Sequence, residues 1–357
     1  MTRDAVADLR RIAFQLERAN EAAYRVRAFR SAANALASLS PEELAARAEA
    51  GTLTQLSGVG DVTARCVEES LRGEEPVYLR RLKATAGVPL DEATAAIRTA
   101  LRGDCHLHSD WSDGGSPIEE MALAGVELGH EYLVLTDHSP TLTVARGLTA
   151  ARLRRQLDHV AALNDQLPEG FRILTGIEVD VLADGSLDQD EDLLARLDVV
   201  VGSVHSGLRD NATHMTRRML TAIANPQLDI LGHCTGRKVS ASAVGLATEG
   251  DRAHRTGRTR PPSDFDADAV FAACLEHDKA IEINCRPDRL DPPKRLLRQA
   301  VEAGCLFAID TDAHAPGQLD WLRLGCERAA RCGVDPARVV NTWPAERLLK
   351  WAAAHAA

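Results

Sequence analysis

The sequence predicts an α/β fold, a distorted seven-stranded (β/α) barrel preceded by a small all-α domain. Two observations support this prediction. After about residue 102, short β-branched runs alternate with helical stretches, and repeated β-α units of this kind form a parallel sheet. Before that point the apolar spacing is helical. Seven strands in about 250 residues favour a barrel, with an open, doubly wound sheet as the alternative.

The N-terminal helices are predicted from apolar spacing and from helix-start signals. Leu9, Ile12 and Leu16 recur at the spacing of one helix face. Ser40 followed by Pro41 is typical of a helix start, with serine as the N-cap and proline in the first turn. We therefore expect residues 4–50 to be helical almost throughout.

A glycine turn, Gly58-Val59-Gly60, separates two apolar helical stretches in residues 53–71. Glycines permit close approach of the backbone, and the amides that start the next helix can then hold a phosphate. This helix-hairpin-helix pattern binds nucleic-acid backbones without reading their sequence. A plain tight connection between two helices is the alternative, and Asp61 places a negative charge beside the predicted phosphate site.

A basic group precedes this turn. Arg25, Arg27 and Arg30 lie beside Tyr24 and Phe29. They are interpreted either as contacts to DNA phosphates or as a solvated helix face over an apolar core.

The predicted strands of the barrel are short, apolar and rich in β-branched residues. They cover residues 103–107, 132–137, 172–179, 198–204, 229–234, 280–285 and 305–311. The helices expected between them cover residues 116–129, 150–167, 215–225, 266–277 and 291–303. Residues 236–264 are rich in Arg and Gly without periodicity, which predicts a loop.

The composition argues against several classes of protein. With 45% hydrophobic and 26% charged residues, the chain of 357 residues has the composition of a globular protein. No apolar run reaches the ~18–20 residues that span a bilayer, and the first residues lack the apolar core of a signal peptide. The eight cysteines form no C-x-x-C pair. We therefore expect a cytoplasmic protein with reduced cysteines and no membrane partner.

Metal-ligating side chains recur at the C-terminal ends of the predicted strands, where a parallel barrel gathers its active site. One such histidine is usually a hydrogen-bonded core residue, but six of them with acidic neighbours are hard to explain by packing. Imidazoles and carboxylates together bind Zn²⁺, Mn²⁺ or Fe²⁺, so a multinuclear metal site is predicted. The candidates are His106, His108, Asp113, His138, Glu178, His205, His233, Asp312 and His314. The other six histidines are interpreted as surface or capping residues.

The order of these motifs resembles that of the PHP (polymerase and histidinol phosphatase) family of metal-dependent phosphoesterases. The matching motifs are H-L-H-S-D-W-S-D-G, T-D-H-S, G-I-E-V-D, S-V-H-S-G, G-H-C-T-G-R, I-E-I-N and T-D-A-H. Residues 1–85 resemble the helix-hairpin-helix domain of bacterial family X DNA polymerases, which end in a PHP domain of this subtype. The resemblance implies a linker at 86–101 and a PHP-type barrel at 102–352. It leaves no room for a polymerase palm, so polymerisation is not expected.

The resemblance also implies three divalent ions, Zn, Mn or Fe, that share the nine candidate side chains. Such ions activate water near neutral pH and neutralise charge on phosphoryl oxygens. The implied ligand sets are His106, His108, Glu178 and Asp312 for the first ion, Glu178, His205 and His233 for the second, and Asp113, His138 and His314 for the third.

An arginine follows the fifth predicted strand. Arg237 is a candidate phosphate clamp, because its planar fork of donors matches phosphate oxygens, or else a loop-anchoring salt bridge. Arg286, after the sixth strand, carries the same two interpretations, and Asp137 and Asp180 are expected to support neighbouring ligands.

Three functions remain open at this point. The first is a DNA 3′-5′ exonuclease or 3′-end-processing activity on phosphate esters, favoured by the helix-hairpin-helix pattern and opposed by the net charge of −10. The second is a small-molecule phosphomonoesterase such as a histidinol-phosphate phosphatase. The third is a non-catalytic DNA-binding protein, which the intact set of ligands disfavours. The sequence leaves the oligomeric state open.

Overall fold

The computed structural model describes residues 3–84, 89–240 and 259–355. The chain divides into two compact units, residues 1–89 and residues 90–357. Residues 241–258, which belong to the loop predicted at 236–264, lie outside the described residues. Among the residues that are described, no helix is long and apolar enough to cross a membrane.

The first unit is helical, as predicted. Leu9, Ile12 and Leu16 are fully buried on one face of its first helix. The predicted start signal at Ser40 is present, because its hydroxyl accepts a hydrogen bond from the Glu43 amide, and the structure adds a cap at Asp4, whose carboxylate accepts from the Ala7 amide. The helices are α1 (Ala5–Arg18), α2 (Ala23–Ala37), α3 (Pro41–Glu49), α4 (Asp61–Leu71) and α5 (Val77–Ala84).

The glycine turn leads directly into α4. Gly58 has a φ of +88°, and a Cβ there would lie 3.2 Å from the Cβ of Ser31, so only glycine fits without strain. Gly60 caps α4, and its amide donates to the hydroxyl of Thr63. The turn therefore requires glycine at residue 58, whereas Gly60 has an ordinary extended conformation and open space around it.

The second unit is a near-barrel of seven parallel strands with helices around it, as predicted. The strands follow one another in the sheet in chain order. They are β1 (Gly103–Leu107), β2 (Tyr132–Leu135), β3 (Arg172–Asp180), β4 (Val199–Ser203), β5 (Ile230–Leu231), β6 (Ala280–Asn284) and β7 (Leu306–Asp310). The helices are α6 (Glu92–Ala100), α7 (Ile118–Glu127), α8 (Ala150–Asn164), α9 (Glu191–Leu194), α10 (Ala212–Ile223), α11 (Ala267–Glu276), α12 (Lys294–Ala303), α13 (Leu322–Cys332) and α14 (Ala345–Ala354).

The two outer strands, β1 and β7, meet at a seam that a side chain closes. In the described part of the chain a single parallel bridge, Leu107 to Ala313, joins the two edges. The buried amide of Asn341 lies between the two edges, donating to the carbonyls of Gly103 (3.0 Å) and Ile309 (2.7 Å). It also accepts from the amide of Ile309 (3.1 Å). Asn341 therefore joins the two edges together with Asp310 and Asp104, whose carboxylates accept from the amides of Cys105 (2.8 Å) and Thr311 (3.2 Å).

The inner side of the strands explains where the site forms. Residues from all seven strands share one apolar cluster inside the barrel, to which β4 contributes Val199 and Val201. Because side chains alternate along a strand, Ser203 and His205 follow on the same side. The inward rows are thus apolar at their starts and polar at their C-terminal ends.

Candidate metal centre

The carboxylate of Glu178, at the end of β3, lies at the middle of the predicted ligands. It is 1% exposed. Five imidazole nitrogens approach its oxygens. They belong to His138 (2.8 Å), His233 (3.0 Å), His106 (3.4 Å), His205 (3.4 Å) and His108 (3.6 Å).

The other three candidates are two aspartates and one histidine at the edge of this group. The Asp312 carboxylate lies 3.4 Å from Nε2 of His108. The Asp113 carboxylate lies 3.5 Å from Nε2 of His138 and 3.3 Å from Nε2 of His314. The structure therefore brings all nine predicted side chains together.

Three groups of these side chains place their ligating atoms within 4.8 Å of one another. These three groups differ in part from the ligand sets that the family resemblance implies, because His108 and His138 each belong to two of the groups. The groups are His106, His108 and Asp312, then His138, Glu178 and His205, and finally His108, Asp113, His138 and His314.

The hydrogen bonding of the group fits cation binding. Both carboxylate oxygens of Glu178 and both ring nitrogens of His205 and of His233 are buried, and within the described residues none makes a hydrogen bond. A buried polar atom without a partner costs about 1–3 kcal/mol. Divalent cations would satisfy the oxygens of Glu178 and one nitrogen of each of these rings, and the mixture of nitrogen and oxygen donors suits transition metals.

The charges inside the group keep Glu178 ionised. Burial alone would raise the pKa of Glu178, but the positive charges of His106, His138 and His205 outweigh it and hold that pKa well below its ordinary value. Burial, together with the charges of His314 and His138, lowers the pKa of His108 well below its ordinary value. Against the effect of burial, the Glu178 carboxylate raises the pKa of His106 and also that of His205, the latter to about 9. Ionised Glu178 and neutral His108 are the forms that bind metal, whereas His106 and His205 would release a proton when a cation binds.

Two buried side chains of β6 support this group and were not among the predicted site residues. Glu282 accepts from Nδ1 of His106 (2.6 Å) and from the backbone amide of His233. Asn284 donates to Asp312 (3.1 Å) and to Glu282 (3.2 Å). Polar residues at alternate positions of an otherwise apolar strand, as in I-E-I-N, are the signal that could have found them.

The two aspartates predicted to support ligands have different surroundings. Asp180 accepts from the amide of His205 (3.2 Å) and lies 3.4 Å from its Nδ1, so it positions a ligand. Asp137 instead accepts from the hydroxyls of Ser109 and Ser112 and from Gln156. It therefore holds the loop after β1 and not the neighbouring His138.

A cavity of about 240 Å³ opens onto the group. Three cations, Lys238, Arg286 and Arg289, line one part of it. Nη1 of Arg286 lies 3.3 Å and Nε of Arg289 lies 3.2 Å from oxygens of Asp312. Nη1 of Arg289 is buried and makes no hydrogen bond to any described residue, which leaves this donor available to an anionic ligand.

Arg237 does not line this cavity. Its Nε donates to the carbonyl of Arg289 (2.9 Å), and its Nη2 donates to the carbonyl of Leu290. These contacts favour the interpretation of Arg237 as a loop anchor over that of a phosphate clamp. The anchor consists of hydrogen bonds to backbone carbonyls and not of the salt bridge that was expected.

The predicted DNA-binding arginines of the first unit are not equivalent. Arg25 pairs with Glu21 (2.8 Å) and contacts the hydroxyl of Tyr78. Arg30 forms two hydrogen bonds to Glu17 (2.9 and 2.8 Å). Arg27 is exposed. The basic group as a whole is therefore partly neutralised.

One of the histidines interpreted as surface or capping residues is buried. His130 is 5% exposed, and its ring nitrogens make no hydrogen bond within the described residues. The surface interpretation is therefore wrong for His130. His355 is the C-cap residue of α14, in agreement with the capping interpretation, and its ring lies 2.7 Å from the Asp229 carboxylate.

Comparison with known proteins follows the same division of the chain. The PHP domain family matches residues 104–285, and the helix-hairpin-helix domain family matches residues 2–76. The chain is 38% identical over 241 residues to the DNA polymerase/3′-5′ exonuclease PolX of Bacillus subtilis, covering 68% of this chain and 39% of that protein. It thus spans about two fifths of the length of that relative.

Other relatives are named as phosphatases. A probable phosphatase of Thermoanaerobacter sp. is 26% identical over 250 residues, covering 67% of this chain and 89% of that protein. A solved structure of histidinol phosphate phosphatase from Lactococcus lactis, complexed with zinc, L-histidinol and phosphate, is 17% identical with a TM-score of 0.42. It covers 66% of this chain and 94% of that chain.

These findings define the class of protein. A parallel near-barrel with ligating side chains at its C-terminal strand ends is the architecture of a phosphoester hydrolase of this kind. The chain belongs to the PHP domain family, with a helix-hairpin-helix domain before the barrel, as the sequence predicted.

Proposed function

We propose that this protein is a metal-dependent DNA 3′-5′ exonuclease or 3′-end-processing enzyme without polymerase activity. The observation that carries the proposal is the presence in one chain of a helix-hairpin-helix domain and a PHP site. A 38% identical relative carries the name of a DNA polymerase/3′-5′ exonuclease, which supports DNA as the substrate.

The proposed centre holds three divalent ions, Zn, Mn or Fe, on the nine side chains around Glu178. Bound there, such ions supply an activated water and neutralise developing charge. His106, His108, Glu178 and Asp312 would form the part nearest to β1 and β7, as the implied first set. Glu282 and Asp180 would keep His106 and His205 in the orientation that ligation needs.

The protein's own cations would position the phosphoryl group. Arg286 and Arg289 already lie against Asp312, and their remaining donors face the cavity with Lys238. Charge-assisted hydrogen bonds from these groups would hold the non-bridging oxygens in place and exclude free rotation of the phosphoryl group. A cavity of about 240 Å³ suits one terminal phosphoester group.

A small-molecule phosphomonoesterase is the second candidate. Its support is the group of probable phosphatases, one of which the chain matches over 89% of its length. That match covers 67% of this chain and leaves the rest without a counterpart.

The test offers both kinds of substrate to the metal-reconstituted protein. A 5′-labelled single-stranded oligonucleotide and a panel of phosphomonoesters, histidinol phosphate included, are supplied at equal concentration. We expect stepwise shortening of the oligonucleotide that exceeds phosphate release from the monoesters. Glu178→Gln should reduce it by at least about a hundredfold, because that variant removes the central charge, whereas Glu276→Gln on exposed surface should not.

The opposite ranking of substrates would assign the protein to the phosphomonoesterases. Hydrolysis of neither substrate, by protein that has taken up metal, would sink both proposals.

A further inference from the structure

A second cavity, of about 490 Å³, lies on the other side of the segment that follows β6. We call it the basic cavity. Two leucines, Leu290 and Leu324, form its apolar wall. Its charged lining consists of four cations and one carboxylate, namely Arg237, Lys294, Arg328, Arg331 and Glu327.

The charge in this cavity is not balanced by the protein. Arg331 pairs with Glu327 at 2.6 Å. Within the described ranges, no carboxylate lies at ion-pair distance from Arg237, Lys294 or Arg328. The buried carboxylate of Asp291 acts on Arg237 and Arg328 only from beyond that distance. The four cations therefore outnumber the two carboxylates near them, and an excess of positive charge is the electrostatic condition for anion binding.

The two inner arginines are held by neutral acceptors. Arg328 donates to the carbonyls of Asn284 (3.3 Å), Asp291 (3.3 Å) and Pro292. Arg237 likewise donates to two carbonyls of the same segment. The carboxylate of Asp291 is taken up by backbone amides, including that of Arg237 (3.2 Å). Carbonyls satisfy donors and fix geometry, but they do not neutralise a full charge.

Burial makes this excess charge costly. Arg328 is 5% exposed, and burial together with the charge of Arg237 lowers its pKa to about 10. A buried cation is stabilised when an anion joins it. Lys294 and Arg331, in contrast, are exposed and can reach a ligand that enters from solvent.

We propose that the basic cavity is a phosphate-binding site separate from the hydrolytic centre. Lys294 and Arg331 would contact the phosphate oxygens, and the charges of Arg237 and Arg328 would favour a dianion over a neutral ligand. The site would be separate because Arg286 and Arg289 of the same segment point to Asp312 on its other side. The phosphate belongs either to a free anion or to a nucleic-acid backbone, which the test distinguishes.

The test measures phosphate binding by equilibrium dialysis on the full-length, metal-loaded protein. The double variant Lys294→Ala/Arg331→Ala should bind one equivalent of radiolabelled inorganic phosphate fewer than the wild type, or bind it at least about tenfold more weakly. Arg298→Ala, an exposed arginine of the same helix α12 that does not line the cavity, is the matched control. Hydrolysis of a small phosphomonoester should stay unchanged in both variants, which separates this site from the proposed catalytic one.

A second measurement locates the site without relying on a variant. Crystals of the wild type soaked in tungstate, a tetrahedral dianion, should show anomalous density between Lys294 and Arg331. Fluorescence anisotropy with a single-stranded oligonucleotide shows whether the phosphate is that of a free anion or of a nucleic acid. If the double variant binds the oligonucleotide more weakly than the wild type, and neither protein binds free phosphate in the basic cavity, the cavity binds the nucleic-acid backbone. The proposal fails if the double variant matches the wild type for both ligands, or if the tungstate lies only at the ligands around Glu178 and the double variant keeps its affinity for the oligonucleotide.

Discussion

Glu282 shows how a single buried side chain controls its neighbours at the candidate centre. It accepts from the ring of His106 and from the backbone amide of His233, two predicted ligands on different strands. A carboxylate in this position fixes which ring nitrogen of His106 carries the proton, and it leaves Nε2 free toward Glu178.

Glu282→Gln is therefore expected to weaken metal binding without removing any ligand. The amide keeps the size of the side chain but loses the charge that orients His106, so the affinity should fall by about 10–100-fold. Competition with a colorimetric chelator measures this affinity, with Glu276→Gln as the exposed control. An affinity equal to that of the wild type would mean that Glu282 is only a packing residue.

His130 gives a second prediction for a single side chain, outside the centre. Burial and the charge of Arg98 lower its pKa to about 3. The unfolded chain, with a pKa near ~6.5, therefore takes up the proton first as the pH falls. The stability that neutral His130 contributes is complete above pH ~6.5 and is lost progressively toward pH ~3.

The variant His130→Leu should show a smaller loss of unfolding free energy over this pH range than the wild type. Urea unfolding at several pH values between 7 and 4 measures it, with His277→Leu as the comparison histidine. Parallel pH profiles for wild type and His130→Leu would show that His130 is protonated equally well when folded.

At the scale of the elements, the sequence was most informative about the strands. A short apolar run that ends in polar residues, as in V-L-T-D-H, indicates a strand by its apolar part and a candidate ligand by the histidine at its end. The strand β5 is shorter than predicted, two residues in place of six, because a turn that carries His233 begins directly after Gly232, whose amide still donates to Gly202 of β4 (2.9 Å). The C-terminal helix α14 has no such row, and its role in closing the barrel interior with Trp351 depends on contacts distant in sequence.

The seam between β1 and β7 is the feature that local patterns could not indicate. Asn341 lies 238 residues from Gly103, one of the residues that it joins. Its neighbours in sequence are Val340 and Thr342, and nothing in the spacing of this segment marks the asparagine as a residue that joins two strands. The same holds at the centre for Arg289, which only the folded chain brings to Asp312.

Asn341→Ala tests the importance of this joint. The substitution leaves backbone groups of Gly103 and Ile309 buried without partners, so the free energy of unfolding should fall by about 2–4 kcal/mol. Denaturant unfolding measures the loss, and Gln166→Ala, an exposed amide, is the control. A change within ~0.5 kcal/mol would show that water or a backbone shift replaces the amide.

For the whole molecule, the two units have separate apolar cores. We therefore expect DNA binding and hydrolysis to respond separately to substitution. The glycine turn gives the most direct test of this separate response. A side chain added at Gly58 would crowd Ser31, whereas a side chain added at Gly60 would have open space.

Gly58→Val should weaken binding of a single-stranded oligonucleotide by about tenfold, because a β-branched residue is strained at a φ of +88° and would press on Ser31. Hydrolysis of a small phosphomonoester should be unaffected. Gly60→Ala is the matched control, since no atom lies within 4 Å of the Cβ that it adds. Equal losses of binding and hydrolysis in Gly58→Val would show that the two units are not independent.

The asparagine joint also has a consequence for how such a centre can change. His106 and His108 belong to one edge of the sheet and Asp312 and His314 to the other, and these edges are fastened by the bridge from Leu107 to Ala313 and by the Asn341 amide. We therefore expect a substitution at residue 341 to alter the spacing of the candidate ligands without changing any of their side chains.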